Sequence, residues 1–184
     1  TFLQCVGSRD EKSGNNYCSK VCCVTAVKQA IEVRKALPDA EIYIFYMDLR
    51  MWGQGFEELY REAQEKYDIR FVRGRISEAS ATFDGKVQIK SEDTLIGQPH
   101  KMNTDLLVLM AGMEPSQGTK TIGKNCHIGG EYQFISSQGA HIQDNLTTME
   151  GIYVAGTAKR PMSIRDTLTD ADSEGVVSKV LAAL

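Results

Sequence analysis

Apolar and polar positions follow two alternating rhythms through the first two thirds of the chain. The opening TFLQCVG is a short apolar run, and the polar, glycine-containing SRDEKSGNN follows it, which predicts a buried strand passing into an extended loop. From about Ser19 to Leu37 the apolar residues Val24, Val27 and Ile31 recur at helical spacing, and Pro38 with Asp39 supplies a stop. EIYIFYMDL is a run of β-branched and aromatic residues suited to a central strand of a parallel sheet. A turn at Trp52-Gly53-Gln54-Gly55 leads to a second helix from about Phe56 to Tyr67, whose apolar stripe is Phe56, Leu59, Tyr60, Ala63 and Tyr67. IRFVRGRIS reads as the next strand.

SEASATF, the turn Asp84-Gly85, KVQIKSED and the stretch around HKMN predict a small antiparallel meander, after which DLLVLMAG returns to the buried sheet. Beyond Pro115 the pattern breaks into glycines and short polar stretches. Strands are expected at EYQFI and GIYVAG, and a last helix should turn Val177, Val180, Leu181 and Leu184 inward, with Asp166 or Thr167 capping its start. Strand, helix, strand in this order is one right-handed βαβ unit, half of a nucleotide-binding-type α/β domain. There is no initiating Met and the chain opens directly on a strand-like segment, so a piece of a longer protein is expected.

Composition narrows the function. The 184 residues carry a formal charge of −3, with a pI near 5.7, so nothing favours nucleic acid or an anionic membrane as partner. No apolar run approaches the ~20 residues of a membrane span, and the first residues lack the basic start and apolar core of a signal peptide. A cytoplasmic location without membrane insertion is expected.

Four of the five cysteines crowd into the first 23 residues, which favours metal or redox chemistry over disulfides. Twelve residues separate Cys5 from Cys18, three separate Cys18 from Cys22, and Cys23 follows at once. With a helix beginning near Ser19, Cys18 and Cys22 share a face one turn apart, and the loop can bring Cys5 alongside. Four thiolates suit an iron–sulfur cubane, and equally a tetrahedral zinc; small core cysteines are the plain alternative. Adjacent cysteines are unusual for zinc knuckles, and a helix N-terminus would stabilise an anionic cluster, so the cluster is the favoured reading. Cys126, beside His127, is expected to be structural or on the surface, and His100 and His141 have no metal spacing.

CVGSRDEKSGNNYCSKVCC, followed by a helix and then IFYMDLRMWGQGFEELY, resembles the A-type flavoprotein subunit of heterodisulfide reductases and its counterpart in the quinone-interacting membrane-bound oxidoreductase complex. The resemblance implies a thioredoxin-reductase-like core of two dinucleotide-binding-type domains, with FAD in the first and a four-cysteine [4Fe-4S] cluster inserted into the second. By position, Cys5, Cys18, Cys22 and Cys23 become the cluster ligands. It also implies that residues 1–115 form the NAD-binding-like domain with the cysteine loop, and that 116–184 form the C-terminal part of the FAD-binding domain. LLVLMAGMEP becomes the strand returning to the first domain, and GIYVAGT the stretch in which Gly156 and Thr157 approach the flavin.

Thr157 stands where related flavoproteins carry Asp, and its hydroxyl can still donate to a phosphate or ribityl oxygen. A helix starting near Thr167 would aim N–H groups at the flavin pyrimidine edge, or it is an ordinary cap. Lys28 would place a positive charge near a reduced flavin, or it is a solvated lysine. The G-x-G-x-x-G fingerprint is absent, and the cysteine loop occupies the place where a nicotinamide cofactor would sit, so binding of NAD(P) is not expected.

The implied function is electron relay among FAD, a [4Fe-4S] cluster and partner subunits of a redox complex, as an oxidoreductase component whose isolated piece is inactive. A zinc or cysteine-stabilised docking module is the alternative.

Overall fold

A computed structural model describes residues 1–139, 142–172 and 181–182. The chain divides into two compact units, Thr1–Asp10 with Cys22–Gly112, and Glu11–Val21 with Met113–Leu184.

In the first unit, β1 (Phe2–Val6), β2 (Tyr43–Tyr46), β3 (Arg70–Arg73) and β7 (Val108–Ala111) form a parallel sheet in the order β3-β2-β1-β7. Strands β4 (Ile76–Ala81), β5 (Val87–Asp93) and β6 (Gln98–Thr104) form the antiparallel meander. Helices α1 (Cys22–Ala36) and α2 (Phe56–Glu65) pack on one face of the parallel sheet and the meander on the other. Strand alternation produces the three layers: in β2, Ile44 points into the helix-side core and Phe45 into the meander-side core, both fully buried. Arg34, near the end of α1, fastens the two helices, donating to the carbonyls of Tyr67 at 2.8 Å and Asp68 at 3.0 Å.

Two boundaries differ from the sequence reading. IRFVRGRIS is broken at Gly74, where a Cβ would lie 1.8 Å from the Glu92 carbonyl oxygen; this close crossing redirects the chain from β3 into the meander. Helix α1 starts at Cys22, not near Ser19, because Lys20 has φ +63, a left-handed conformation that a helix interior does not accommodate. Cys18 therefore precedes the helix and does not lie one turn inside it.

In the second unit, α3 (Gln117–Asn125) is a helix the glycine-rich texture concealed; Ser116 caps it, accepting from the Thr119 N–H at 3.2 Å. EYQFI is not a strand. Its Glu131–Gln133 makes a 3-10 turn with Tyr132 at φ +54 and Gln133 at +65, leaving Ile135 in an isolated bridge to Gly129. GIYVAG likewise keeps only the bridge of Tyr153 to Leu146 before a 3-10 turn at Gly156–Ala158. Ile128, Ile135 and Val154 form the small core here.

Helix α4 (Ile164–Ala171) is capped by Ser163, with Asp166 closing a capping box three residues on, so neither Asp166 nor Thr167 is the cap residue. Of the residues expected to line the last helix, Val177, Val180 and Leu184 lie outside the described residues, as does His141, and Leu181 is exposed. Among the described residues no helix is long and apolar enough to cross a membrane.

Candidate functional site

The first unit brings Cys5 and Cys22 together. Cys5 sits in β1 with φ +59, at a register shift between Leu3 and Val6, so the strand kinks where the thiol leaves the sheet. Cys22 is the first residue of α1, and the two thiols are hydrogen-bonded. That bond, reinforced by burial, pushes the Cys5 thiol well up from its ordinary range, and the guanidinium of Arg9 acts the other way. Cys23 is buried in the helix-side core.

Cys18 belongs to the second unit, partly exposed, and its Sγ accepts the Lys20 backbone N–H at 3.3 Å. Among the described residues no three His, Cys, Asp or Glu side chains gather as a metal-holding group.

Two charged residues that the sequence reading passed over attend these sulfurs. Arg9, at φ +53, reaches the Cys5 thiol, pairs with Asp48, and is steadied by Arg75, which donates to its carbonyl at 2.7 Å. Lys20 carries its ammonium to Asp166 at 2.8 Å, which ties the Cys18 segment to the start of α4. Flanking Cys5 in sequence, the side-chain amide of Gln4 and the hydroxyl of Ser8 are buried with no hydrogen-bond partner; Ser8 is 1% exposed and Gln4 6%.

Buried donors without acceptors are costly unless a bound group supplies the acceptor. A thiol pair at a helix N-terminus with a guanidinium on one sulfur fits an anionic sulfur-rich group in kind. An iron–sulfur cluster has that chemistry, and Cys5 and Cys22 are the thiols that the first unit brings together.

The residues predicted to face a flavin are placed as follows. Gly156 has φ +67, its N–H donates to Asp170 Oδ2 at 2.6 Å, and a Cβ there would meet Thr167 Cγ2 at 2.8 Å. Thr157 is exposed, and the Thr167 N–H donates to the Ser163 carbonyl at 2.9 Å within the first turn of α4. Lys28 is exposed on α1, beside an open groove lined by Phe2, Val24 and Val108.

The second unit holds a further network that sequence spacing did not signal. Lys159, its side chain 2% exposed, binds Asp144 at 2.9 Å and Asp170 at 2.6 Å, and Arg160 grips Asp144 through two nitrogens at 2.9 and 2.6 Å. Arg160 and Lys159 hold the Asp144 carboxyl far below its usual range. Burial works against ionisation of Asp170, but the Gly156 N–H and Lys159 outweigh it and lower it too.

The remaining candidates are structural. Cys126 packs against the Ile128–Ile135–Val154 core, and the His100 ring lies 5.9 Å from that of Phe45.

This architecture, a parallel sheet flanked by helices and a meander with a second unit following, defines the fold of thioredoxin reductases. The Lactococcus lactis enzyme matches with a TM-score of 0.61 at 17% identity, covering 88% of this chain and 51% of that one. The T. acidophilum enzyme matches at 0.63 and 15%, covering 91% and 57%.

No protein-family profile matches the chain. In sequence, the chain is homologous to one segment of the A-type subunit of heterodisulfide reductase. It is 38% identical over 171 residues to that subunit of the H(2):CoB-CoM heterodisulfide,ferredoxin reductase of Methanothermobacter marburgensis, covering 92% of this chain and 26% of the relative. It is 39% identical over 186 residues to the corresponding iron-sulfur subunit of the CoB--CoM heterodisulfide reductase of Methanocaldococcus jannaschii, covering 97% and 27%. The chain thus spans about a quarter of the length of these relatives.

Proposed function

We propose that this chain is the cluster-bearing portion of a flavin and iron–sulfur electron-transfer subunit of a heterodisulfide-reductase-type complex, a cytoplasmic oxidoreductase component that docks to partner subunits. The observation that carries the proposal is the hydrogen-bonded thiol pair Cys5–Cys22, at the kinked end of β1 and the first residue of α1. The similarity to subunits named for iron–sulfur and heterodisulfide chemistry supports it.

On this reading Cys5, Cys18, Cys22 and Cys23 hold a [4Fe-4S] cluster in the NAD-binding-like domain of residues 1–115, and residues 116–184 complete a FAD-binding domain. A bound cluster supplies one-electron transfer. The protein's own part is placement and tuning. Helix α1 begins at the thiols and turns its positive end toward them, which favours anionic charge there.

FAD belongs to the full-length protein. Gly156 acts through its conformation, its N–H engaged by Asp170 while its left-handed φ projects the exposed Thr157 hydroxyl, and Thr167 packs beneath it. Lys28, exposed on α1, offers an unburied positive charge for a partner or flavin.

Anaerobic reconstitution of the chain with iron and sulfide, followed by its visible spectrum, tests the proposal. A brown chain whose colour is lost in Cys22→Ala supports it; a colourless chain that takes up zinc instead, or a Cys22→Ala variant that keeps its full iron, contradicts it.

A further inference from the structure

On its helix side, the first unit carries an open apolar groove of about 640 Å³ that lies wholly within that unit. The floor is Phe2 of β1 and Val108 of β7, which are partners in the parallel pairing of the two strands. The wall is the outer flank of α1, where Val24, Lys28 and Glu32 form one row at i, i+4 spacing and Gln29 and Val33 lie on the next. The groove therefore runs over β7, the last strand in the order β3-β2-β1-β7.

A parallel sheet is ordinarily covered by helices on its faces. Here α1 and α2 bury Ile44 of β2 and Met110 of β7, but Val108 stays half-buried at the margin. Packed helices lie about 8–10 Å apart, roughly two strand spacings, so one more helix laid beside α1 would cover β7. Rows at i, i+4 spacing are the ridges between which a second helix packs. From Val24 to Val33 the wall rises about 14 Å, so the occupant needs roughly three turns.

Other occupants fit less well. A strand added at the edge of β7 would leave a groove on the face uncovered. A small ligand would find few converging polar groups: one ammonium, Lys28, and one carboxylate, Glu32, which already holds Lys35 at 2.8 Å. Lys28 is exposed and has no ion-pair partner among the described residues, so the rim offers an uncompensated positive charge. A source for a helix exists in the relatives, since this chain matches only 26% and 27% of their lengths and the rest of each polypeptide lies outside the shared segment.

We propose that the groove seats an amphipathic helix supplied by the remainder of the same polypeptide. The apolar stripe of that helix, recurring at i, i+3 or i+4, and i+7, meets Phe2, Val24, Val33 and Val108, and an acidic residue beside the stripe pairs with Lys28. The assignment does not depend on whether the thiols of this unit bind a cluster.

The test is photo-crosslinking in the full-length subunit, with benzoylphenylalanine in place of Gln29 and mass spectrometry of the linked peptides. The expected result is a link within one polypeptide, to a segment outside this chain whose apolar residues recur at helical spacing. Val24→Arg puts a charge into the apolar seam and should lower the yield of that link about tenfold. Lys28→Glu should lower it about threefold, and Lys28→Arg, which keeps the charge, should stay close to wild type. If Val24→Arg unfolds the subunit, as read by circular dichroism, the exposed substitution Lys28→Glu decides. A probe that forms no link, one that links to a second copy, or one that links to a segment without helical periodicity overturns the proposal. So does a yield that neither Val24→Arg nor Lys28→Glu changes.

Discussion

At the scale of single residues, the molecule separates polar groups with partners from polar groups without them. Gln4 is buried with both amide atoms unsatisfied, so in metal-free chain it is a net cost. Gln4→Leu should raise the unfolding free energy of the metal-free chain by about 1 kcal/mol, measured by urea denaturation. A loss of stability would mean that the amide has a partner.

Asp144 is the opposite case, held by Lys159 and Arg160. Its folded-state ionisation lies below that of an unfolded carboxylate, and so does that of Asp170. Their contribution to stability is therefore complete above the ordinary carboxylate range and drains as pH falls below about 4. Asp144→Asn should cost about 2 kcal/mol at pH 7, and its stability should fall less steeply than wild type between about pH 4 and pH 2. Parallel pH profiles for the two proteins would contradict this.

At the scale of elements, legibility followed periodicity. Phe56, Leu59 and Ala63 announced α2, which ends at Glu65 and leaves Tyr67 beyond it, and EIYIFYMDL announced β2, because burial imposes a helical or strand repeat on the apolar positions. The meander was legible from Asp84-Gly85 and its flanking runs. Beyond Pro115 the fold rests on caps, isolated bridges and ion pairs, which leave little trace in an apolar pattern. Ser116, before α3, was the available signal for that helix, and the Ser163-to-Asp166 spacing was the signal for the true start of α4.

At the candidate site, the cysteine pattern stood out in the sequence. The left-handed conformation of Lys20, which delays α1 to Cys22, did not, since only the folded loop reveals it. Arg9 and Asp48 lie far apart in sequence, so their pairing was equally hidden.

The capping box makes a direct element-scale prediction: Ser163→Ala should destabilise the chain by about 1 kcal/mol in urea denaturation, and an unchanged midpoint would show that the box is dispensable. Gly156→Ala should cost more, about 2 kcal/mol, because it adds left-handed strain to a 2.8 Å approach to Thr167. A neutral Gly156→Ala would mean that the turn relaxes freely.

At the scale of the whole molecule, three of the four clustered cysteines belong to one unit and Cys18 to the other. The fold is shared with thioredoxin reductases, yet a fold does not dictate chemistry.

The most direct measurement is iron and acid-labile sulfide content after anaerobic reconstitution of the chain, beside a version extended at its amino terminus. The account predicts about four irons and about four sulfides per chain, with a broad visible absorption. Zinc alone, or no metal in either version, would contradict it.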